Sequence, residues 1–333
     1  MVTRMSRATR PGLVGLVLLL SSCGLGRDRG ITNEHDDRLE RDQSFEIDGT
    51  ERNYHLYLPE NPSNAPIVFL LHGNGGSADQ ILGIERTKAP FEVWLDVAFR
   101  ENLVLVVPDG LVGPDFGQGW NNKQGWNDCR TDAPTNPDAD DVTFLGALLD
   151  EVQDTYGLED QQVFVTGVSN GGLMSQRLAD AIPERLDAIA VVVASRPVNN
   201  ECDSPTTPVP VLFMNGTDDP ILPYDGGQID GGRGLLLPTL DTVAYWVERN
   251  RADPTPIETV LADTDGGEGS TIVRRTYAGG ADGADVEHYE VIGGGHTEPS
   301  IQERYSRIYK RIVGEQNGDI EMAEEIWSFF ERQ

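Results

Sequence analysis

Apolar and polar residues alternate in two short stretches, residues 44–48 and 52–58, which flank Gly49 and Thr50. Alternation with a period of two is typical of strands that bury one face, and a glycine between two such stretches supplies a turn. The pattern predicts a β-hairpin.

Longer apolar runs follow, and they alternate with segments of helical pattern. The apolar runs are residues 67–71, 103–107, 163–166, 188–193 and 209–214, with further strand patterns at 271–277 and 286–292. The helical segments are residues 90–101, 142–156, 172–181, 240–250, 301–313 and 320–331. Continuous apolar strands between helices predict an α/β fold with a mostly parallel sheet and helices on both faces. No repeat or Gly/Ser linker interrupts the pattern, so we expect one domain over residues 43–333.

The N-terminus has a different pattern. Arg4, Arg7 and Arg10 precede the apolar run 13–20, which is followed by Ser-Ser-Cys-Gly at residues 21–24. The run is too short to span a bilayer and is typical of a signal peptide. Its ending resembles a bacterial lipobox, so residues 1–22 are predicted as a lipoprotein signal peptide and Cys23 as the lipidated residue. The alternative is an ordinary signal peptide in which Cys23 has no role.

Residues 23–42 are polar and almost free of large apolar side chains, which predicts a flexible tether. With the predicted lipid on Cys23, this layout indicates an exported protein that is anchored to the membrane of the cell envelope.

Charge narrows the range of partners. The chain has 55 acidic and 26 basic residues and a formal net charge of −29. No basic stripe is present to displace the counterions of phosphates, which argues against nucleic acid as a partner. We interpret the acidity as a solubilising surface, because no localised acidic cluster indicates a site for a cationic ligand.

The pentapeptide Gly167-Val168-Ser169-Asn170-Gly171 fits the pattern G-x-S-x-G and lies between an apolar run and a helical segment. This is the context of a nucleophile elbow, in which small residues allow a strained turn that exposes the serine. A turn of small residues without catalytic function would select similar residues. We interpret Ser169 as a nucleophile because the required partners follow it in the chain.

The first partner is a base, and the second is an acid. His296 follows the last strand pattern and a run of three glycines, so its ring is on a loop rather than within a strand. Asp219 follows the run 209–214 in a D-P-x-x-P turn that would hold its carboxylate rigidly. Asp218 is the alternative acid. The order serine, acid, histidine is that of the α/β-hydrolases.

An oxyanion hole requires two backbone donors, one of them on the residue after the nucleophile. We assign the N–H groups of Asn170 and Asn74, with Gly75 as the alternative to Asn74. Asn74 lies in a glycine-rich loop, residues 72–77, after an early strand pattern. The chain has no G-x-x-x-x-G-K-[ST] sequence, so a phosphate-binding role for these glycines is not favoured.

Several segments together resemble the polyhydroxybutyrate depolymerase and feruloyl esterase family of secreted α/β-hydrolases, which includes actinobacterial lipoproteins. The matching segments are L-L-H-G-N-G-G-S (70–77), V-V-P-D-G (106–110), W-N-D-C (126–129), D-D-V-T-F-L (140–145), Y-G-L-E-D-Q-Q-V-F-V-T-G-V-S-N-G-G-L-M (156–174), N-G-T-D-D-P-I-L-P-Y-D-G-G (215–227), G-G-G-H-T (293–297) and E-E-I-W-S-F-F (324–330).

The resemblance implies an α/β-hydrolase fold with Ser169, Asp219 and His296 as the triad, and neither a metal nor an organic cofactor. It also implies a disulfide between Cys129 and Cys202, which from the residues alone could equally be unpaired thiols. Many relatives have Thr-Trp-Pro after the catalytic histidine. Here Glu298 stands in place of that tryptophan, which removes an aromatic wall from this position.

The predicted function is that of a serine esterase acting through an acyl-enzyme on Ser169. Its expected substrates are polyhydroxyalkanoate-type oligoesters or feruloyl and acetyl esters of plant glycans. Trp120 and Trp126 lie in the loop 110–139, where they either contact the substrate or only pack the loop down. Two other functions use the same scaffold: a non-catalytic, lipid-anchored protein that binds glycan or polymer, and a peptidase.

Overall fold

A ten-stranded sheet organises the chain. The computed structural model describes residues 38–84, 88–114, 123–202, 205–264, 266 and 269–333. The strands of the sheet are β1 Leu39–Ile47, β2 Thr50–Tyr57, β3 Ile67–Leu71, β4 Val104–Pro108, β7 Val163–Val168, β8 Ala188–Val192, β9 Val211–Gly216, β12 Ile257–Val260, β13 Thr271–Tyr277 and β14 Val286–Ile292. Their spatial order is β1-β2-β4-β3-β7-β8-β9-β14-β13-β12. Two short strand pairs lie outside this sheet, β5 (Leu111–Val112) with β6 (Gln124–Gly125), and β10 (Gly227–Gln228) with β11 (Leu235–Leu236).

The centre of the sheet is parallel and its edges are antiparallel. Strands β4, β3, β7, β8, β9 and β14 all run in one direction. The hairpin of β1 and β2 adds antiparallel strands on one side, and β13 and β12 do so on the other. Strands β3, β4, β8 and β9 are buried along their whole length. The predicted hairpin and the predicted parallel sheet are therefore confirmed.

Helices cover the sheet, as the sequence predicts, although the short helix at residues 78–81 was not predicted and one predicted helix differs strongly in its bounds. They are α1 Ala78–Ile81, α2 Val93–Glu101, α3 Asp141–Tyr156, α4 Asn170–Ala181, α5 Thr239–Asn250, α6 Arg307–Val313 and α7 Met322–Phe330. Short 3-10 turns are found at Pro62–Asn64, Pro90–Glu92, Pro183–Arg185 and Ala281–Gly283.

The predicted helix over residues 301–313 is wrong for its first half, because α6 begins only at Arg307. The side chain of Ser306 accepts a hydrogen bond from the N–H of Tyr309 and caps the helix at that point. Further upstream, the N–H groups of Ile301 and Gln302 donate to the carboxylate of Glu321 instead of to helical carbonyls.

Two hydrophobic cores are formed from alternate residues of the central strands. Val165 belongs to the core that contains Phe144 of α3, whereas its neighbour Phe164 belongs to the core that contains α2 and α7. In the second core the rings of Phe164 and Phe330 stack with centroids 4.6 Å apart, and Trp94 lies 6.3 Å from Phe330. Both strand faces are therefore buried, which explains the unbroken apolar runs in the sequence.

Of the predicted signal peptide and tether, only residues 38–42 lie in the part of the chain that the structure describes. Strand β1 begins at Leu39, so the last residues of the stretch 23–42 that was predicted as a tether pair with β2. Residues 1–37, with the predicted signal peptide and Cys23, lie outside the described residues. Within the part that the structure describes, no helix is both long enough and apolar enough to cross a membrane.

An ion pair between Arg52 and Asp141 is buried where the hairpin meets α3. Nη2 of Arg52 lies 2.7 Å from Oδ1 of Asp141, and both side chains are almost fully buried. Oδ2 of Asp141 accepts from the N–H of Asn127, and the guanidinium lies 3.8 Å from the centroid of the Phe144 ring. The adjacent Asp140 caps α3 by accepting from the N–H of Thr143. Asp141 does not cap the helix. It connects α3 to β2 through Arg52 and to the preceding loop through Asn127.

Loss of this arginine should destabilise the fold strongly. Arg52→Ala leaves the Asp141 carboxylate buried without its counterion, and we expect the free energy of unfolding to fall by about 3–5 kcal/mol. Urea unfolding followed by tryptophan fluorescence measures this value. Arg38→Ala is the matched control, because Arg38 pairs with Glu60 at an exposed site, where we expect a loss of at most about 1 kcal/mol. Equal losses in the two variants would contradict a structural role for the buried pair.

Candidate active site

Ser169 occupies a strained turn between β7 and α4. Its φ is 57° and its ψ is −117°, in a region that non-glycine residues rarely adopt. The N–H of Ser169 donates to the carbonyl of Val192 at 2.9 Å, which ties the turn to the end of β8. The sequence prediction of an elbow at this serine therefore agrees with the backbone.

The flanking glycines are required by close packing. A Cβ atom on Gly171 would overlap the carbonyl groups of Leu71 and His72, and one on Gly167 would overlap the backbone of Gly171. Gly73 is close to the turn as well, since a Cβ there would lie 3.4 Å from Cβ of Ser169. The end of β3, the loop after it and the start of α4 therefore meet directly beside the serine.

Asp219 and His296 lie on neighbouring strand ends and are hydrogen bonded. Nδ1 of His296 lies 2.7 Å from Oδ2 of Asp219. The other carboxylate oxygen, Oδ1, accepts from the N–H groups of Ile221 at 2.7 Å and Leu222 at 2.8 Å. These three bonds fix the carboxylate in one orientation. Asp218, the alternative acid, is exposed and accepts from the Thr217 hydroxyl.

The three predicted triad residues lie at one edge of the sheet. Ser169 follows β7, Asp219 follows β9 and His296 follows β14, and all three strands are parallel. Loops at the carboxyl ends of parallel strands form the ligand cleft of open α/β sheets. Among the described residues the hydroxyl of Ser169 makes no hydrogen bond. In unliganded hydrolases the contact between serine and histidine is often long and shortens when substrate binds.

Two backbone N–H groups beside Ser169 are available for an oxyanion. In the part of the chain that the structure describes, the N–H groups of Asn74 and Asn170 donate to no protein acceptor. Gly75, the alternative to Asn74, donates its N–H to the carbonyl of Gln124 at 2.6 Å. Of these two candidates, Asn74 is therefore the one whose N–H is available among the described residues. It lies beside the first turn of α4, where the helix dipole favours negative charge.

The imidazole of His72 holds the loop that carries Asn74. The N–H of Gly110 donates to Nε2 of His72 at 2.9 Å, so Nδ1 carries the proton and donates to the carbonyl of Gly73 at 2.8 Å. Burial lowers the pKa of His72, which keeps the ring neutral. His72 therefore has a structural role at the base of the predicted oxyanion loop.

The side chain of Asn170 fastens a second loop to the elbow. Its Oδ1 accepts from the N–H of Trp126 at 2.7 Å, and its Nδ2 donates to the carbonyl of Trp126 at 3.1 Å and to Asp128 at 2.6 Å. Sequence reasoning assigned only the backbone of Asn170. The W-N-D-C segment was visible in the sequence, but its contact with the elbow depends on tertiary structure.

Trp126 is not exposed at the surface of the loop, as a residue that stacks on a substrate would be. Its side chain is fully buried, its Nε1 donates to the carbonyl of His72 at 2.8 Å, and its ring lies 5.0 Å from that of His72. The indole fills the space beneath the loop, in agreement with the alternative that the tryptophan packs the loop down. Trp120, the other predicted substrate residue, lies outside the described residues.

The predicted disulfide between Cys129 and Cys202 is confirmed. The two Cα atoms are 5.6 Å apart and the cysteines are separated by 73 residues. Next to it, Arg130 donates from Nε and Nη2 to the two oxygens of Asp128, at 2.9 and 2.7 Å. The disulfide therefore stabilises a loop that is joined to the elbow through Asp128 and Asn170.

A small cavity opens above Ser169 and has both polar and apolar walls. Its other lining residues are Asn74, Arg130, Thr135, Asn170, Leu173, Leu222, Ile229 and Arg233. Sequence reasoning missed most of this wall, because the residues come from four separate segments. Oδ1 of Asn74 and Oγ1 of Thr135 are buried and have no hydrogen-bond partner among the described residues. They could accept hydrogen bonds from a bound substrate.

Metal binding receives no support from the described residues. That part of the chain contains no group of three or more histidine, cysteine or acidic side chains arranged to hold a metal ion.

Glu298 follows Thr297 on the loop after His296. It is buried, and its Oε2 accepts from the hydroxyl of Tyr305 at 2.8 Å. Burial raises the pKa of this carboxyl, although the hydrogen bond from Tyr305 and the nearby charge of His296 act in the opposite direction. The side chain thus belongs to the protein interior behind the histidine loop.

The sheet, the elbow and the order of the three residues define the class of the protein as an α/β-hydrolase. Its structure is similar to that of an acetyl xylan esterase from Aspergillus awamori, with a TM-score of 0.51 and 16% sequence identity. The match covers 82% of this chain and 97% of that one. At this identity the likeness shows the fold alone.

Sequence comparison identifies the family. The model of the Esterase family matches residues 45–210. The chain is 30% identical to "Putative esterase NocK" of Nocardia uniformis subsp. tsuyamanensis, over 76% of this chain and 72% of that protein. It is also 28% identical to feruloyl esterase D of Neurospora crassa, over 76% of each chain. The chain belongs to this feruloyl esterase-like family of α/β-hydrolases, and it is a hydrolase of carboxylic esters.

The raised pKa of Glu298 predicts a contribution to the pH dependence of stability. Below about pH 4, near the ordinary pKa of glutamate, both folded and unfolded chains hold this proton and the folded state is not penalised. As pH rises through the raised pKa, the unfolded chain releases the proton more readily and stability is lost. Glu298→Gln should therefore decline less in unfolding free energy between pH 5 and pH 8 than the unaltered chain.

Urea unfolding at the two pH values measures this difference, with the exposed Glu331→Gln as control. The same decline in Glu298→Gln and in the unaltered chain would show that Glu298 does not titrate differently on folding.

Proposed function

We propose that the chain cleaves carboxylic esters through an acyl-enzyme on Ser169, with His296 as general base and Asp219 as the residue that orients it. The observation that carries this proposal is the 2.7 Å hydrogen bond between Asp219 and His296, at the same sheet edge as the strained turn at Ser169. The bond to Asp219 assigns the proton of the neutral imidazole to Nδ1. Nε2 then has a lone pair that can accept a proton.

The reaction follows from these positions. Nε2 of His296 takes the proton of Ser169 as Oγ attacks the carbonyl carbon of the ester, and the carbonyl oxygen becomes an oxyanion. The N–H groups of Asn74 and Asn170 donate to that oxyanion. When the intermediate collapses, the bond to the alcohol breaks and the imidazolium gives its proton to the leaving oxygen. Water, deprotonated by His296, then attacks the acyl-enzyme and releases the acid.

For the substrate we propose polyhydroxyalkanoate-type oligoesters or feruloyl and acetyl esters of plant glycans. The feruloyl esterase relatives support an ester of a hydroxycinnamic acid. The apolar residues Leu173, Leu222 and Ile229 in the cavity suit an acyl chain or ring, and the unpartnered oxygens of Asn74 and Thr135 suit a hydroxylated alcohol.

We also propose that the protein is exported and attached to the cell envelope through a lipid on Cys23, with residues 1–22 removed and the catalytic domain at residues 43–333. The apolar run 13–20 and its lipobox-like ending support this placement. The disulfide between Cys129 and Cys202 also supports an oxidising compartment.

Replacing the serine tests the mechanism. Ser169→Ala removes the attacking hydroxyl, so kcat for p-nitrophenyl acetate should fall by roughly six orders of magnitude, and labelling by a fluorophosphonate probe should disappear. Ser44→Ala, an exposed serine of β1, is the control and should keep both. Retained turnover and labelling in Ser169→Ala would exclude Ser169 as the nucleophile.

A panel of esters tests the substrate class. We expect hydroxybutyrate oligomers, methyl ferulate or acetylated xylan to give a higher kcat/KM than p-nitrophenyl acetate, because a natural substrate fills the cavity that acetate leaves empty. Product release measured by chromatography, with Ser169→Ala as blank, gives the ranking. Equal kcat/KM for all esters would count against this choice of substrates.

A further inference from the structure

Helix α6 exposes two isoleucines to solvent. Ile308 is 61% exposed and Ile312 is 49% exposed. Residues four positions apart on a helix are neighbours on one face, so the two side chains form one apolar stripe. Contiguous exposed apolar patches on soluble proteins can mark interaction sites.

Two arginines form a second stripe beside the first. Arg307 and Arg311 are both exposed and are also four positions apart, each directly preceding one of the isoleucines. The third basic residue of the helix, Lys310, is half-buried and pairs with Glu315 at 2.7 Å. We call Arg307, Ile308, Arg311 and Ile312 the α6 surface. It presents two exposed cations on a chain whose net charge is −29.

The fold prevents the helix from rotating these side chains inward. Ser306 caps its N-terminus, and Val313 is buried at its other end. The carbonyl of Val313 accepts from the N–H of His296 at 2.6 Å. The α6 surface is therefore held outward by contacts that also hold the loop of the predicted catalytic histidine.

We propose that the α6 surface binds an anionic phospholipid bilayer. An apolar stripe flanked by arginines is typical of helices that lie in the interface of a bilayer, where aliphatic side chains enter the acyl boundary and cations meet the headgroups. The acidic remainder of the protein is repelled by such a bilayer, which leaves the α6 face as the one that approaches. The catalytic histidine then lies on the membrane-facing side of the domain.

The charges favour lipid over two other occupants. A second copy of the chain joined through the same surface by a two-fold axis would bring the arginines of both copies together. A neutral polyester would cover the isoleucines but would leave the arginines without anionic partners. An anionic lipid bilayer contacts both the isoleucines and the arginines. The contact is small and therefore weak, and it adds to the membrane affinity that the proposed lipid on Cys23 supplies.

Vesicle sedimentation tests the proposal on residues 23–333 with Cys23→Ser, which removes any lipid and keeps every helix and strand described above. We expect the protein to sediment with vesicles of equimolar phosphatidylglycerol and phosphatidylcholine, and at least about tenfold less with phosphatidylcholine alone. Ile308→Ser/Ile312→Ser and Arg307→Gln/Arg311→Gln should each weaken binding to the anionic vesicles by about tenfold or more.

The controls are Ile257→Ser/Val260→Ser, which removes two apolar side chains of β12 that are more exposed than those of α6, and the exposed Arg251→Gln. They should bind as the unaltered protein does. Hydrolysis of p-nitrophenyl acetate and thermal unfolding verify that every variant is folded. No sedimentation with anionic vesicles, or equal binding by the α6 variants and the controls, would overturn the proposal. So would retention on a polyhydroxybutyrate film or formation of dimers, if either depended on α6 while vesicle binding did not.

Discussion

The close approach of backbone to backbone beside Ser169 is the constraint on which the remaining site depends. Gly171 leaves no room for a side chain against the carbonyl groups at the end of β3, and Gly167 leaves none against Gly171. This crowding, together with the bond from the N–H of Ser169 to Val192, holds the serine at a positive φ. Strain at one residue is maintained only because three neighbouring segments determine its position.

The order of the strands then brings the other groups to the same place. β9 and β14 are paired, so an acid after one and a histidine after the other are adjacent without any special loop. Two residues, Asn170 and His296, each contribute one group to the proposed site and another group to the structure of a loop. Asn170 contributes its N–H to the predicted oxyanion hole and its side chain to the loop at Trp126. The N–H of His296 bonds to the end of α6 while its ring bonds to Asp219. The geometry of the proposed triad and the structure of the loops therefore depend on shared residues.

The sequence predicted what depends on local pattern. Buried strands, the elbow and the order of serine, acid and histidine all follow from runs of a few residues, because periodicity and glycine placement are local properties. Contacts between distant segments could not be predicted in this way. The sequence around Trp126 does not determine whether its side chain faces a substrate or packs against the carbonyl of His72. The helical pattern of residues 301–313 did not reveal that Glu321 would take the N–H groups of its first turn. No short stretch of sequence predicted the cavity wall either, since its residues come together only in the folded chain.

The stacking of α7 on the sheet has a consequence for biosynthesis. Phe164 lies in the central strand β7, yet its stacking partner Phe330 is 166 positions later in the chain. A ribosome releases the chain from its N-terminus, so Phe164 lacks this stacking partner until residue 330 has emerged. All ten strands of the sheet precede that residue. The core around Phe164 is therefore completed only after every strand that it covers has been synthesised.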